Sequence, residues 1–325
     1  MGSYDEKTDT VFWGTGNASP FNPNVRSSGA PDWGKLSNLY TASTIAVDPN
    51  TGKIKWHFQH TPDDVWDYDS TSEVVLADLN IAGRRTPTYM KADKNGFFYI
   101  VNREDGKFIS ADPYVDLNWA KSYDQAKGVP IVDPDKFPTK DHKATSVCPS
   151  AMGGKNWQPM SYNPGSGLVY LLANNVCTDI GLAETEYKRG TFYLGVELNL
   201  YKGKGDFGGE LVAWDPVRRQ RAWSVKKEFP FNGGTMTTAG NLVFYGDWEG
   251  KFHAHDAKTG QELWSFNVGS GVGAGPMTYQ VDGKQYVAVV VGRSSTWPAY
   301  LGELGKKMLA ASPEGGALIV FSLEN

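Results

Sequence analysis

A repeated segment of eleven residues constrains the fold more than any other feature of the chain. Its copies span residues 46–56, 213–223 and 254–264, and each places a Trp eight residues after an Asp. In the first and third copies the segment between them reads Asp-x-x-Thr-Gly. This is typical of a hairpin turn, because Gly adopts the positive φ that the turn requires. Each copy therefore predicts two antiparallel strands, the second of which carries a Trp that can pack between adjacent sheets.

The spacing of the copies indicates a β-propeller. Asp215 and Asp256 are 41 residues apart, which suits one four-stranded blade. We therefore predict an antiparallel all-β fold with roughly four to five propeller blades, forming a single domain over residues 1–325. The alternative is an unrelated antiparallel sandwich with coincidental turns, which three copies in the same eight-residue register disfavour.

Weaker signals fill in the rest of the propeller. The turn is echoed at residues 102–107 and 162–167, so we expect hairpins there as well. Long irregular inserts are expected between blades, at residues 110–150 and 178–208. The many Gly, Pro and aromatic residues suit strands joined by tight turns and do not suit a helical bundle.

Charge and composition exclude several classes of function. A net charge of −4 argues against electrostatic binding to nucleic acid or to an anionic membrane surface. No apolar run approaches the roughly 20 residues that a membrane-spanning helix needs. The two cysteines, Cys148 and Cys177, lack the spacing of a zinc site, and no Cys-x-x-Cys-His motif is present to attach a haem.

Two short motifs contain the side chains that best suit a metal site. Gly14-Thr15-Gly16-Asn17 follows an expected strand at residues 10–13, and Trp66-Asp67-Tyr68-Asp69 follows some fifty residues later. The amide and carboxylate oxygens of Asn17, Asp67 and Asp69 are ligands that suit a hard cation such as calcium. Alternatively, these residues are turn formers or solvated acids, because Asx residues beside Gly and Pro usually serve turns.

Together the two motifs resemble those of the pyrroloquinoline quinone (PQQ)-dependent alcohol dehydrogenases. The Asp-to-Trp repeat is also similar to the tryptophan-docking motif of these quinoprotein propellers, and the likeness extends over nearly the whole chain. The family fold has eight blades, so the resemblance implies that the chain corresponds to a C-terminal part and lacks N-terminal blades. The start of the chain fits this expectation, because it lacks the basic and apolar segments of a secretory signal.

The resemblance assigns roles to the metal-site residues. It implies that Asn17 is a metal ligand and that Asp67 is both a ligand and the catalytic base that removes the alcohol proton. Hydride would then pass to PQQ, whose carbonyl the metal polarises. Asp69 implies a lanthanide ion, with calcium as the alternative, because a further carboxylate helps to balance a trivalent charge. A strand through this segment would also place Asp67 and Asp69 on the same face.

The resemblance also implies residues that bind the cofactor. Lys94 would hydrogen-bond the quinone oxygens of PQQ and stabilise the negative charge of its reduced form. Asn156, with Trp157 beside it, would contact PQQ as well. Asn232 stands where many relatives have a Trp at the cofactor edge, and it could bond a PQQ carboxylate. The alternative for Lys94 is an exposed lysine in a solvated hairpin turn.

The implied activity is the oxidation of short primary alcohols to aldehydes, with electrons passed to a soluble cytochrome c. The resemblance further implies a Cys148–Cys177 disulfide and a periplasmic location, and a homodimer is possible; buried free thiols are the alternative for the cysteines. We expect the chain by itself to be a poor enzyme, because the family's Glu ligand and the groups that cover the cofactor would lie in absent blades. The alternative function is a non-catalytic propeller scaffold of the outer-membrane assembly type.

Overall fold

Asx turns close the hairpins that the repeat predicts. Asp48 Oδ1 accepts hydrogen bonds from the backbone N–H groups of Asn50 and Thr51, and Asp256 makes the same pair of bonds to Lys258 and Thr259. The residue four positions after each Asp has a positive φ, and in the degenerate copy Arg219 adopts this conformation at φ 58°. The Asp therefore maintains the turn even where the glycine has been lost.

In this computed structural model, residues 2–26 and 37–323 are described. The first strands are Gly2–Asp5 (β1), Thr10–Gly14 (β2), Ser43–Val47 (β3), Ile54–Gln59 (β4), Val75–Ile81 (β5), Arg84–Ala92 (β6), Phe97–Asn102 (β7) and Phe108–Pro113 (β8). The next are Ala120–Asp124 (β9), Val129–Val132 (β10), Ala144–Val147 (β11), Ser161–Asn163 (β12), Leu168–Asn174 (β13), Val176–Leu182 (β14), Val196–Lys202 (β15) and Gly209–Asp215 (β16). The last are Gln220–Lys227 (β17), Thr235–Thr237 (β18), Leu242–Gly246 (β19), Lys251–Asp256 (β20), Glu262–Asn267 (β21), Met277–Val281 (β22), Lys284–Val291 (β23) and Ala317–Ser322 (β24).

The described helices are short. They are Pro23–Arg26 (α1), Thr296–Tyr300 (α2) and Gly302–Ala311 (α3), with a 3-10 turn at Pro134–Lys136. Among the described residues, no helix is both long and apolar enough to cross a membrane.

The strands form two compact units. The first comprises Met1–Trp157 and Val176–Leu200, and the second comprises Gln158–Asn175 and Tyr201–Asn325. In the first unit, β1–β4 and β5–β8 each form a four-stranded antiparallel sheet in chain order. In the second unit, the four-stranded sheets have the orders β12-β13-β16-β17 and β18-β19-β20-β21, and β22–β24 form a three-stranded sheet. Strands paired in chain order form the blades of a β-propeller, as the repeat predicts.

The long inserts are more regular than the sequence suggests. The segment at residues 110–150 contains the β9–β10 hairpin and strand β11, and the segment at 178–208 contains most of β14 and all of β15. Strands β11, β14 and β15 pair into a three-stranded sheet. The prediction of irregular inserts was therefore wrong in part, because pairing between residues distant in sequence gives these segments order that no local pattern indicates.

A disulfide joins the two chain segments of the first unit. Cys148 and Cys177 are bonded, as the resemblance implied, and they link the segment after β11 to strand β14. The bond closes a loop with a sequence separation of 29 residues. Closing such a loop in the unfolded chain stabilises the fold by about 3–4 kcal/mol in the chain-entropy estimate.

In the first two copies of the repeat, the Trp packs on the turn glycine of the following sheet. A Cβ added to Gly106 would lie 2.6 Å from the Trp56 ring, and one added to Gly260 would lie 2.7 Å from the Trp223 ring. Trp223 Nε1 also donates to the carbonyl of Ala257 at 3.1 Å. The repeat thus specifies both the hairpin and the contact that joins one sheet to the next.

We predict that Gly106→Ala destabilises the protein more than Gly52→Ala does. Both glycines have a positive φ, but nothing lies within 4 Å of a Cβ at Gly52. The difference between the variants therefore measures the collision with Trp56, about 1–3 kcal/mol in the free energy of unfolding. Urea unfolding of both variants measures it, and equal losses would show that the Trp contact is unimportant.

Candidate functional site

Two carboxylates converge on one buried lysine in the first unit. Lys94 Nζ donates to Asp67 Oδ2 at 2.9 Å and also to Asp69 Oδ1. The Lys94 side chain is only 4% exposed, against 22% and 15% for the two acids. An ammonium so far removed from water requires such partners, because breaking a buried ion pair costs about 3–5 kcal/mol. The structure thus brings together three residues that the sequence analysis selected, and we call them the Asp67–Lys94–Asp69 triad.

A buried aspartate shapes the loop that carries the two acids. Asp64 accepts the N–H of Trp66 through Oδ1 at 3.0 Å and that of Tyr68 through Oδ2 at 2.9 Å. Asp67 lies between these anchors with a φ of 68°, a conformation that is uncommon outside glycine. Such strained positions concentrate at functional sites, where the surroundings over-determine them.

The strand expected through this segment is absent. Residues 60–74 form a loop, so Asp67 and Asp69 do not share a face through strand alternation. The side-chain bonds of Asp64 replace a strand ladder, and the loop itself turns both carboxylates towards Lys94. This role of Asp64 is not predicted from the sequence, in which it is one of four acids between positions 63 and 69.

A second network of buried charged residues forms hydrogen bonds with the same loop. Lys91 Nζ donates to the carbonyls of Ser70 at 2.8 Å and Ser72 at 2.6 Å, and Ser70 Oγ donates to Asp93 Oδ2 at 2.5 Å. Sequence reasoning missed these residues too. The available signal was that Lys91 and Asp93 are charged, although they flank Ala92 directly after the apolar pair Tyr89-Met90 at the end of strand β6.

The segment that contains Asn17 lies against the same loop. Ser70 N–H donates to the carbonyl of Thr15 at 2.9 Å, and a Cβ on Gly14 would lie 1.9 Å from the Ser70 carbonyl oxygen. Only glycine allows this approach. Asn17 Nδ2 donates to the carbonyl of Ala18 at 3.1 Å, so the side-chain oxygen of Asn17 is its atom suited to a metal.

Lys94 is in a turn, as its Lys-Asn-Gly sequence suggests, but the turn is buried. Gly154 N–H donates to the Lys94 carbonyl at 3.0 Å, and a Cβ on Gly153 would lie 2.2 Å from Lys94 Cγ. This contact places the segment before Asn156 and Trp157 against the lysine. Asn156 donates to the Met152 carbonyl and accepts from Trp157 N–H, while the Trp157 side chain is 45% exposed.

Asn232 belongs to the second unit. Its Oδ1 accepts a hydrogen bond from Gln158 Nε2 at 2.9 Å. Next to it, Gly234 packs so closely on Pro159 that an added Cβ would lie 2.5 Å from Pro159 Cγ. The amide of Asn232 is therefore held by a side chain of its own unit, on a closely packed glycine segment.

The two acids of the triad differ in their affinity for protons. Burial raises the pKa of Asp67 to about 6, although the Lys94 ammonium opposes this shift. Burial alone would raise the pKa of Asp69 too, but the charge of Lys94 and hydrogen bonds from Lys94 and Thr71 lower it below its ordinary value. Burial and the nearby charge of Asp67 raise the pKa of Asp64 to about 7.

The residues present fit a hard metal cation. Two carboxylates already face a single positive charge, and every candidate ligand atom on Asn17, Asp67 and Asp69 is an oxygen. Calcium and similar cations prefer such oxygen donors. These donors therefore suit a hard cation held next to a carboxylate and a lysine.

Comparison with protein families matches this chain to the β-propeller domain of glucose, ethanol and alcohol dehydrogenases that use PQQ. The match covers residues 1–113 and 208–287. These ranges include Asn17, the three residues of the triad and all three copies of the Asp-to-Trp repeat in full.

Individual proteins similar to this chain are named as alcohol or methanol dehydrogenases. The chain is 44% identical over 301 residues to a quinohemoprotein alcohol dehydrogenase of Comamonas testosteroni, covering 89% of this chain and 41% of that protein. It is 36% identical to a lanthanide-dependent methanol dehydrogenase of Methylacidiphilum fumariolicum, covering 99% of this chain and 55% of that one. A solved europium-containing methanol dehydrogenase superposes with a TM-score of 0.91 at 35% identity, over 99% of this chain and 58% of that chain. The chain thus spans about half the length of the curated relatives it matches.

We predict that Lys94→Met destabilises the protein and that a hard cation restores the loss. Without the ammonium, Asp67 and Asp69 face each other unpaired, at an expected cost of about 3–5 kcal/mol. Added calcium or lanthanum should recover most of this in thermal unfolding, and should affect the control Lys107→Met, at an exposed lysine, no more than the unsubstituted protein. A Lys94→Met protein as stable as the unsubstituted one without added cation would contradict the prediction.

Proposed function

Because this chain belongs to the PQQ-dependent glucose, ethanol and alcohol dehydrogenase family, we propose that it oxidises short primary alcohols to aldehydes with PQQ and a hard metal cation. The observation that carries the proposal is the Asp67–Lys94–Asp69 triad, in which two partly buried carboxylates converge on one cation. A scaffold propeller gains nothing from a buried charge cluster, because buried ion pairs are weak contributors to stability.

The metal would be held by Asp67, Asp69 and Asn17. The two carboxylates offer anionic oxygens, and the amide of Asn17 adds a neutral oxygen from the adjoining segment. A cation bound there would compete with the Lys94 ammonium for the same oxygens. We propose that Lys94 then turns its ammonium to the cofactor, where it stabilises negative charge on the quinone oxygens.

PQQ, when bound, supplies the two-electron acceptor that takes hydride from the alcohol and passes its electrons to a cytochrome c. Asn156 and Trp157 are the residues of the first unit proposed to contact it, because their segment packs on Lys94. Asn232 of the second unit is proposed to bond a cofactor carboxylate through its amide N–H.

Asp67 is proposed as the base that accepts the hydroxyl proton of the alcohol. A base has to be held within hydrogen-bond reach of that proton, and the Asp64 anchors fix the backbone on both sides of Asp67. The loop thus positions the carboxylate before the substrate arrives. Holding a reacting group in place in advance increases the rate of the reaction.

A lanthanide is proposed as the preferred metal. Asp69 adds a second carboxylate to the same cation position, and a trivalent ion is balanced better by two anionic ligands than by one. The lanthanide-dependent and europium-containing methanol dehydrogenases among the relatives support this choice.

The periplasm is the proposed location, because a disulfide persists in an oxidising compartment. A homodimer remains a proposal from the family resemblance alone. The net charge of −4 gives no electrostatic basis for nucleic acid as a partner.

We predict that Asp67→Asn abolishes alcohol oxidation while PQQ binding persists. The amide keeps the shape of the side chain but cannot take the proton, so we expect a loss of about 100-fold or more in dye-linked ethanol oxidation. Each variant is compared with the unsubstituted protein, and PQQ binding is followed separately by fluorescence quenching. Asp141→Asn, at an exposed acid, is the matched control. Absence of PQQ binding, or undiminished turnover in Asp67→Asn, would contradict the proposal.

We also predict that Asp69→Asn weakens lanthanide binding far more than calcium binding. The substitution removes one anionic oxygen, and this matters more to a trivalent ion than to a divalent one. Terbium luminescence, sensitised by the neighbouring aromatic rings, measures the first affinity, and calcium competition measures the second. Equal losses for both metals would assign Asp69 a general structural role.

A further inference from the structure

Two histidines and a glutamate form a second cluster, in the second unit. His253 and His255 occupy alternate positions of β20 and so lie on the same face of the strand. Glu262 on the adjacent strand β21 is paired with His255 in the register. One ligand atom from each of the three residues lies within 4.8 Å of those of the other two.

The ring of His255 has a free lone pair on the side that faces this cluster. Its Nδ1 lies 2.9 Å from the carbonyl oxygen of Gly260, and a carbonyl can only accept, so Nδ1 carries the proton. In the neutral ring Nε2 is then an acceptor. That atom is buried without a hydrogen-bond partner, and it lies 3.6 Å from Glu262 Oε2. A buried imidazole nitrogen with no partner requires an explanation.

The ring of His253 is oriented from the opposite side. Its Nε2 lies 2.8 Å from Asp247 Oδ2, and its Nδ1 lies 2.8 Å from Glu262 Oε2. If the proton on Nε2 is donated to Asp247, the lone pair of Nδ1 faces the Glu262 carboxylate. Two acceptors at that distance need a positive charge between them. Lys227, 3.3 Å from Asp247 Oδ2, neutralises Asp247 and lies near Nε2, on the far side of the ring from Glu262.

We propose that His253, His255 and Glu262 bind a divalent transition-metal ion of the zinc, nickel or copper class. Two imidazole nitrogens with one carboxylate oxygen form a donor set that suits these ions and not the hard cation of the first site. A tetrahedral zinc ion holds its ligand atoms roughly 3.3–3.5 Å apart. Glu262 Oε2 lies 2.8 Å from His253 Nδ1 and 3.6 Å from His255 Nε2, on either side of that spacing.

The surroundings of the cluster are those of a metal site. A ligating histidine usually donates its other N–H to a carboxylate or a carbonyl, which fixes the tautomer. Here Asp247 serves His253 and the Gly260 carbonyl serves His255. Both histidines are 2% exposed while Glu262 is 44% exposed, so an ion enters from the Glu262 side and keeps water as a further ligand. Bound metal would tie β20 to β21.

In the absence of a metal, the same contacts fit a His253 ring that carries a proton on both nitrogens and lies between the carboxylates of Asp247 and Glu262. Zinc titration of the protein stripped with EDTA separates these states. We expect one zinc ion per chain at micromolar concentration, with affinity lowered about tenfold or more in His255→Gln and in Glu262→Gln. Asp247→Asn, which changes only the orienting partner, should lower affinity by about 10–100-fold. His142→Gln, at an exposed histidine outside the cluster, should bind zinc unchanged.

A spectroscopic measurement guards against variants that fail to fold. Copper bound to the unsubstituted protein should give an electron paramagnetic resonance spectrum with coupling to two imidazole nitrogens, and folded Glu262→Gln should keep that coupling at weaker affinity. The proposal would be overturned if zinc failed to bind or if it bound equally to all the cluster variants. It would also be overturned if His142→Gln were the variant that lost zinc binding. A copper spectrum without two coupled nitrogens would overturn it too.

Discussion

The charge balance of the Asp67–Lys94–Asp69 triad is the constraint on which the candidate site depends. A lysine buried to this degree loses most of its hydration, and only the two carboxylates offset that loss. The same two carboxylates would repel each other without a cation between them. Positive charge between the two acids, which Lys94 supplies in this structure, therefore stabilises the loop at residues 60–74.

The propeller scaffold explains how a loop can hold such a cluster. Trp rings of one sheet pack on turn glycines of the next sheet, as Trp56 does on Gly106. Because rigid sheets hold the fold together, the connecting loops can position functional side chains. Asp64 then fixes the loop locally, through two backbone N–H bonds that a strand neighbour would otherwise provide.

The sequence predicts much of this and fails at identifiable places. Repeats and turn residues are local, so the hairpins and blades follow from them. The Trp-Asp-Tyr-Asp motif and the family resemblance select Asp67, Asp69 and Lys94, which the structure brings together. Asp64 was missed because its sequence does not show which acid of this stretch is buried and accepts backbone N–H groups. Lys91 was missed because its partners, Ser70 and Ser72, lie 21 and 19 residues away in the chain. The pairing of His253 with Asp247 and Glu262 was missed because alternation predicts a shared face but not the side chains that this face contacts. Arg219 shows the converse, since a turn persists where its glycine signal has been lost.

We propose that a metal ion replaces the Lys94 ammonium between the two acids of the triad. Crystals grown with PQQ and a lanthanide test this proposal, because the anomalous signal locates the ion without reference to activity. We expect a peak at about 2.3–2.6 Å from carboxylate oxygens of both Asp67 and Asp69, with the Lys94 ammonium no longer between them. A strongest peak elsewhere, with Lys94 still bridging the two acids, would contradict it.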